Sequence, residues 1–553
     1  MTYTVADHLL DRLADAGVRH LFGVPGDFTL AFLDHVEAHP SIEWVGCANE
    51  LGAGYAADGY ARLGGLGALS TTFGVGELSA IGAVAGSYAE HVPVLHVVGA
   101  PTTAVQAASR ATHHTLGDGD FGHFARMTAE VTAAQAVLSP ETATDEIDRV
   151  ITAVLERRLP GYLVIPADVA EHPASPPAAP LPQHPGVTDP GVLARFRAEV
   201  EGRVAAASTV SALADILVSR LDVEAQLHRV LDEGIPHATL LWGRRVVDEA
   251  APAYLGSYVG AASSSAVREG IEQADLLIMA GVQFTDLTSG FFSQHLDASR
   301  TIEIRGEHAR IGDDDFRPLA MGDALDVVAD VLAATGGRFR AGAAVAASHP
   351  DTSGPNEGAL SQTALWREVT GFLRDGDTVL ADQGTSFYGM AGHRLPHGVV
   401  FGGQPLWAAI GFTLPALLGA ALARPERRPV LLIGDGAAQL TIAELGTLLR
   451  HRIPAVIVVV DNDGYTVERV IHGLHEEYND IARWDWTALL AALDPTGTAV
   501  GVKASTVAEL TAALADARTA SGLTLIQAVV PSDDVPPVLR DVAAAAASAN
   551  ARR

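Results

Sequence analysis

Short continuous runs rich in Val, Ile and Leu punctuate the chain at 20–24, 92–98, 162–166, 238–242, 275–282, 378–381, 429–433, 455–460 and 523–530. Polar residues do not alternate with apolar ones in these runs, as expected of strands buried on both faces of a sheet. Ala-rich amphipathic segments separate them, for example 441–451. A shorter run at 42–46 leads into a Gly/Ala/Tyr-rich helical stretch, and 408–423 reads as a buried helix. Strands alternating with helices predict doubly wound parallel sheets. Two stretches interrupt the rhythm. Residues 172–190 hold seven prolines, and 345–361 are polar with Gly and Pro. Such composition marks connections between domains. The expectation is an α/β protein of three doubly wound parallel-sheet domains, 1–175, 190–345 and 360–553. No sequence repeat ties the first block to the third.

Composition sharpens this. The 553 residues carry 37 Lys and Arg against 66 Asp and Glu, a net charge of −29. That balance argues against nucleic acid or an anionic membrane as a partner. The single cysteine, Cys47, excludes an intramolecular disulfide and a multi-cysteine zinc site. The N-terminal "MTYTVADHLLDRLADAG" enters a helical pattern with no basic or apolar leader, and no apolar run approaches the ~20 residues of a spanning helix. A cytoplasmic enzyme acting on a small molecule is expected.

Candidate chemistry concentrates in "LLIGDGAAQLTIAELGTLLRHRIPAVIVVVDNDGYTVE", residues 431–468. Read as strand, helix, strand, it is a βαβ unit, so both strands end at one edge of the sheet, where ligands of open α/β sheets bind. Asp435 and Asn462 follow those two strands and come together. Both offer hard oxygens suited to Mg2+. Gly434 and Gly436 would let backbone amides approach an anion at a helix start.

The Gly-Asp-Gly turn followed by an Asn at this spacing resembles the cofactor motif of thiamine diphosphate-dependent enzymes. The resemblance implies that Asp435, Asn462 and the Gly464 carbonyl hold Mg2+, which grips the diphosphate. It further implies that Glu50, in "GCANELGAGYAADGYAR", is the carboxylate that activates the cofactor's pyrimidine ring. The stretches "VPGDFTLAFLD" (24–34), "RATHHTLGDGDF" (110–121) and "GYTVERVIHG" (464–473) together resemble one subfamily, the 2-oxo acid decarboxylases of the pyruvate, indolepyruvate, phenylpyruvate and branched-chain types. Taken alone, adjacent histidines rarely face the same way. With the resemblance, Asp27, His113, His114 and Glu468 are expected around the reacting carbon, as groups that move protons near neutral pH.

In "GQPLWAAIGFTLPALLGAALA" the resemblance makes Ile410 the bulky residue beneath the bent cofactor. It makes the Ala408 carbonyl, where relatives usually have Gly, an acceptor for the cofactor's amino group. Gln383 resembles the "QGTS" segment of indolepyruvate and branched-chain types. Val467 beside Glu468, and Val542 with an alanine run in 535–549, suggest a widened acyl pocket. Phe387, Tyr388 and Phe292 are read as lining it, with 280–292 facing the substrate. These features favour indole-3-pyruvate, phenylpyruvate or a branched-chain 2-oxo acid over pyruvate. The family pairs one subunit's first block with another's third, so a homodimer is the minimum unit and a tetramer is expected. A thiamine-dependent carboligase and a non-catalytic scaffold of the same fold remain as alternatives.

Overall fold

The computed structural model describes residues 2–181, 186–342 and 357–551, with the side chains of 548–551 excepted. Parts of both predicted linkers, 182–185 and 343–356, lie outside the described residues.

The first sheet contains β1 (His20–Gly23), β2 (Glu43–Gly46), β3 (Gly67–Thr72), β4 (Val94–Ala100), β5 (Ala134–Val137) and β6 (Gly161–Pro166). Its order is β2-β1-β3-β4-β6-β5, and every pairing is parallel. The second sheet contains β7 (Val210–Ala214), β8 (His237–Thr239), β9 (Tyr254–Ser257), β10 (Leu276–Ala280), β11 (Thr301–Arg305), β12 (His308–Ile311) and β13 (Asp314–Phe316), in the order β13-β12-β11-β10-β7-β8-β9. The third contains β14 (Thr378–Ala381), β15 (Val400–Gly402), β16 (Pro429–Gly434), β17 (Val456–Asp461), β18 (Val500–Ala504) and β19 (Thr524–Val529), all parallel, in the order β15-β14-β16-β17-β19-β18.

Each Val/Ile/Leu run predicted as a strand contains one. The central strands β3, β4 and β6 are buried at every position. Burial of each such side chain contributes about 1.5–3 kcal/mol before entropy is counted. Three readings need correction. The middle sheet is mixed, because β12 pairs antiparallel with both β11 and β13. The tight turns that join these three strands at the sheet edge leave no room for a crossover helix. The helix predicted over 441–451 is two helices, Asp435–Thr441 and Glu444–Arg450. The helix predicted over 408–423 begins only at Thr413, because Ala408 has a left-handed φ of 57° and Gly411 one of 83°.

The first and third domains meet through helices Glu50–Gly64 and Thr413–Ala423. A Cβ on Gly59 would stand 2.1 Å from the Ala416 carbonyl oxygen, and one on Gly419 would stand 1.8 Å from that of Ala56. Only glycine admits backbones this close. The middle domain is tied to the third by the buried Arg244. Its guanidinium binds Glu249 at 2.7 and 2.8 Å and donates to the carbonyls of Met390 and His393. Among the described residues no helix is long and apolar enough to cross a membrane.

Candidate active site

The C-terminal ends of the third sheet's strands open into a cavity of about 260 Å³. Gln383, Ala408, Ile410, Gly434, Asp435, Gly436, Asn462, Gly464 and Glu468 all line it, so the third-domain catalytic, cofactor and metal candidates face one space. Asp435 follows β16 and starts a helix; it is 3% exposed. Its Oδ1 accepts from the Gly436 N–H at 2.7 Å, and its Oδ2 from the N–H groups of Asn462 and Gly464 at 3.2 Å each. Burial nevertheless lifts its carboxyl to about 7. Asn462 follows β17 and is equally buried. Its side-chain amide has one end 3.2 Å from Asp435 Oδ1 and 3.0 Å from the Gly464 carbonyl oxygen. With its nitrogen at that end the amide donates to both and its oxygen accepts from the Thr466 hydroxyl; with its oxygen there three oxygens face one another, the orientation that a bound cation would favour. A buried carboxylate short of positive charge, closed by further oxygens, is the donor set of a hard divalent cation.

The Gly436 N–H donates to Asp435 Oδ1 at 2.7 Å. A Cβ there would stand 2.6 Å from the Tyr465 ring, whereas one on Gly434 would meet nothing within 4 Å. Ala408 sits in the cradle loop with its N–H on the Gln404 carbonyl at 2.8 Å. Its left-handed backbone is one that favours Gly, since a Cβ in that region costs about 1–2 kcal/mol.

The other candidates form a second constellation. Asp27 opens a 3-10 turn after β1, and its carboxylate lies 2.8 Å from His113 Nε2 and 3.8 Å from His114 Nε2. Phe28 stacks on the His113 ring at 4.9 Å and meets His114 edge-on at 6.0 Å. The adjacent histidines share a face, as the resemblance implied and the bare pair did not. His114 has a φ of 63°, and this left-handed turn brings the two rings to within 4.6 Å. Gly74 makes room: a Cβ there would stand 1.9 Å from the His114 carbonyl oxygen. Glu50 begins the helix capped by Asn49, whose side chain accepts from the Gly52 N–H at 2.7 Å. It lies alongside Gly76, where a Cβ would stand 3.2 Å from Glu50 Oε1. Asp27, Glu50, His113 and His114 do not line the cavity around Asp435. A single chain therefore carries two separate half-sites.

The structure adds residues that sequence reasoning missed. Arg469 is 5% exposed and donates to the carbonyls of Asn462 at 3.1 Å and Asp463 at 2.6 Å, and to Asp480 at 2.8 Å, pinning the loop that presents Asn462 and Gly464. Asp382 accepts from Gly411 and Thr413 and anchors the cradle loop; burial lifts its carboxyl to about 6. Glu444 of the third domain is fully buried and accepts from the Ala48 N–H at 2.8 Å, so it holds the turn that leads to Glu50. Burial raises its carboxyl as well. An isolated charge within an apolar helical pattern is the only signal of such groups in the sequence, and it does not name their partners. Of the aromatic residues expected in the pocket, Tyr388 lines it, Phe387 packs against Phe401 in the core, and Phe292 is 61% exposed. Phe291 lines the cavity instead.

These features define an enzyme of the thiamine pyrophosphate class. Residues 3–121 match the thiamine pyrophosphate enzyme N-terminal TPP binding domain, 199–334 the central domain and 384–528 the C-terminal TPP binding domain. The chain is 53% identical to the alpha-keto-acid decarboxylase of Mycobacterium ulcerans (strain Agy99) over 543 residues, which cover 98% of this chain and 95% of that protein. It is 52% identical to the alpha-keto-acid decarboxylases of Mycobacterium tuberculosis (strain ATCC 25618 / H37Rv) and Mycobacterium avium (strain 104), over 97% of this chain and 96% and 95% of theirs. The chain belongs to the thiamine diphosphate-dependent 2-oxo acid decarboxylase family.

Proposed function

We propose that this enzyme converts a 2-oxo acid with a bulky side chain to the corresponding aldehyde and CO2 without oxidation. It does so with thiamine diphosphate and Mg2+ in a site assembled between two copies of the chain. The observation that carries the reading is the separation of the two half-sites. Asp435, Asn462 and Gly464 line one cavity of the third domain, and an Asp–His–His cluster and Glu50 lie on the first, outside that cavity.

Asp435, Asn462 and the Gly464 carbonyl would hold Mg2+ against the diphosphate, with Ile410 beneath the rings and the Ala408 carbonyl facing the amino group. Thiamine diphosphate, when bound, supplies the carbon nucleophile and the electron sink. Glu50 from the second copy holds a proton at the pyrimidine nitrogen. Asp27, His113, His114 and Glu468 hold and move protons at the substrate's oxygen and at the carbon that loses CO2. The apolar wall formed by Val467, Leu539 and Val542 excludes water and leaves room for a large side chain. Indole-3-pyruvate, phenylpyruvate and branched-chain 2-oxo acids fit that description better than pyruvate. A homodimer is the minimum functional unit, and a tetramer would be a dimer of such dimers.

Complementation tests the reading. Glu50→Gln and Asp435→Ala chains are each expected to be inactive alone. Unfolded together and refolded, they form mixed dimers in which one of the two sites receives both intact residues. About a quarter of wild-type aldehyde and CO2 release should then return. A mixture as inactive as its components would place both half-sites in one chain's own centre and refute the reading.

A further inference from the structure

Three consecutive residues of the middle domain, Gly290, Phe291 and Phe292, have left-handed backbones, with φ of 60°, 57° and 56°. Residues with a Cβ are disfavoured in this region, and two bulky aromatics in succession are rarer still. Such strain persists only where surroundings over-determine it, and it gathers at functional sites.

Here the surroundings are visible. The Phe291 N–H donates to the Asp286 carbonyl at 2.6 Å, and the Phe292 N–H to Ser289 Oγ at 3.0 Å. Thr285 and Thr288 lock the base of the turn, with their hydroxyls 2.8 Å apart and each hydroxyl accepting the other residue's N–H. The neighbouring chain leaves no slack. A Cβ on Gly260 would stand 2.3 Å from the Ser289 carbonyl oxygen, and one on Gly290 would stand 2.6 Å from that of Val259.

The turn sends its two rings in opposite directions. Phe292 faces outward, whereas Phe291 enters the cavity and packs against the third domain's apolar cluster. Across the same cavity stand Tyr388 from the helix Thr385–Ala391 that follows β14, Val467 beside Glu468, and Val542 from the terminal helix. Among the described residues the middle domain otherwise touches this space only through Leu287. Its share of the wall is therefore one aliphatic side chain and one planar ring, the ring held by the turn described above.

We propose that Phe291 is the specificity-determining residue of this enzyme. Its ring gives the substrate's side chain a flat face to stack on, which makes 2-oxo acids with an aromatic side chain the favoured class. This rests on the decarboxylase reading above and adds to it the residue that chooses among bulky substrates. Aromatic pairs gain beyond simple burial when stacked with an offset, and a preorganised ring gives up little freedom on binding.

The test uses the Mg2+-loaded holoenzyme and kcat/KM for phenylpyruvate, 3-methyl-2-oxobutanoate and pyruvate. Wild type should prefer phenylpyruvate. Phe291→Leu keeps the position apolar and should lower the phenylpyruvate to 3-methyl-2-oxobutanoate ratio by about tenfold, mainly through KM. Phe291→Tyr keeps the ring and should retain the preference. Phe292→Leu should leave the ratio within about twofold of wild type, since that side chain points away. The proposal is overturned if wild type favours the branched substrate, if Phe291→Leu leaves the ratio unchanged, or if Phe291→Tyr loses the preference as fully as Phe291→Leu. Failure of wild type on all three substrates would instead remove the decarboxylase reading, and this proposal with it.

Discussion

The first and third domains are built on one plan. Written from the same edge, β2-β1-β3-β4-β6-β5 and β15-β14-β16-β17-β19-β18 place corresponding strands in identical order, all parallel. Candidate site residues leave matching strand ends. Asp27 follows β1 and Gln383 follows β14. Glu50 follows β2, while Ala408 and Ile410 follow β15. His113 and His114 follow β4, while Asn462 and Glu468 follow β17. The contents of those loops differ in kind. The first domain presents imidazoles and carboxylates that are partly open to solvent, with His113 at 59%, Asp27 at 50% and His114 at 31%. The third presents a buried carboxylate, an amide and a carbonyl. Under the proposed function one scaffold is loaded twice, in the first domain for moving protons and in the third mainly for gripping a charged ligand, with Glu468 added to the proton-moving set. Chemistry resides in the loops and not in the sheet.

Removing one residue from each side sharpens this division. Asp435→Ala should abolish turnover together with cofactor retention, read as thiamine diphosphate left on the protein after gel filtration. Glu50→Gln should depress turnover by about 10²–10⁴-fold while the cofactor stays bound. Equal loss of cofactor in both variants would break the division of labour. Arg469→Met should come next. It leaves every cradle oxygen in place but frees their loop, and about 10–100-fold more Mg2+ should be needed for half-maximal cofactor binding. An unchanged requirement would show that the loop holds itself.

Smaller effects concern the supports of each half-site. Glu77 accepts the Gly74 N–H at 2.7 Å, next to His114, and burial lifts its carboxyl from the usual 4.5 to about 7. The folded protein therefore holds this proton more tightly than the unfolded chain does. Stability from this group is intact below about pH 4.5, declines as pH rises towards about 7, and then levels off. Glu77→Gln should remove the decline, gaining up to about 3 kcal/mol over wild type between pH 5 and pH 8 in paired melting curves. A gap that narrows with rising pH would contradict the sign. Smallest is Ala408→Gly. It should stabilise the cradle loop by about 1 kcal/mol or less, because relief of the left-handed backbone is partly offset by a freer unfolded chain. A fall in Tm would show that the methyl group is packed to advantage.

Much of this plan was legible in the chain because buried parallel strands leave uninterrupted apolar runs and their following loops gather at one edge. That logic brought Asp435 and Asn462 together from 27 positions apart. Short edge strands escaped it, and so did β3 (GALSTT), β7 (VSALA) and β11 (TIEIR) inside their sheets, whose small and polar residues break up the apolar runs. β15 reads only Val-Phe-Gly, β18 carries Gly501 and Lys503, and β12 and β13 are polar on their open face. Side-chain direction escaped it too. Whether Phe291 or Phe292 enters the cavity, and whether two adjacent histidines face together, depends on left-handed turns that hydrophobic periodicity does not encode. Glu444 could not be linked to Ala48 from sequence, because the two lie 396 positions apart.

The meeting of Gly59 with Ala416 and of Gly419 with Ala56 has a consequence of scale. Bare main chain lies on main chain, with no flexible side chain between to absorb displacement. That seam acts as a ruler. It sets how far a chain's Glu50 stands from the same chain's Asp435, and in the proposed pair of copies those residues would serve different centres. The spacing of the two centres would then be cut to a fixed length by four residues too small to stretch, and a single added methyl group at 59 or 419 would lengthen it at both.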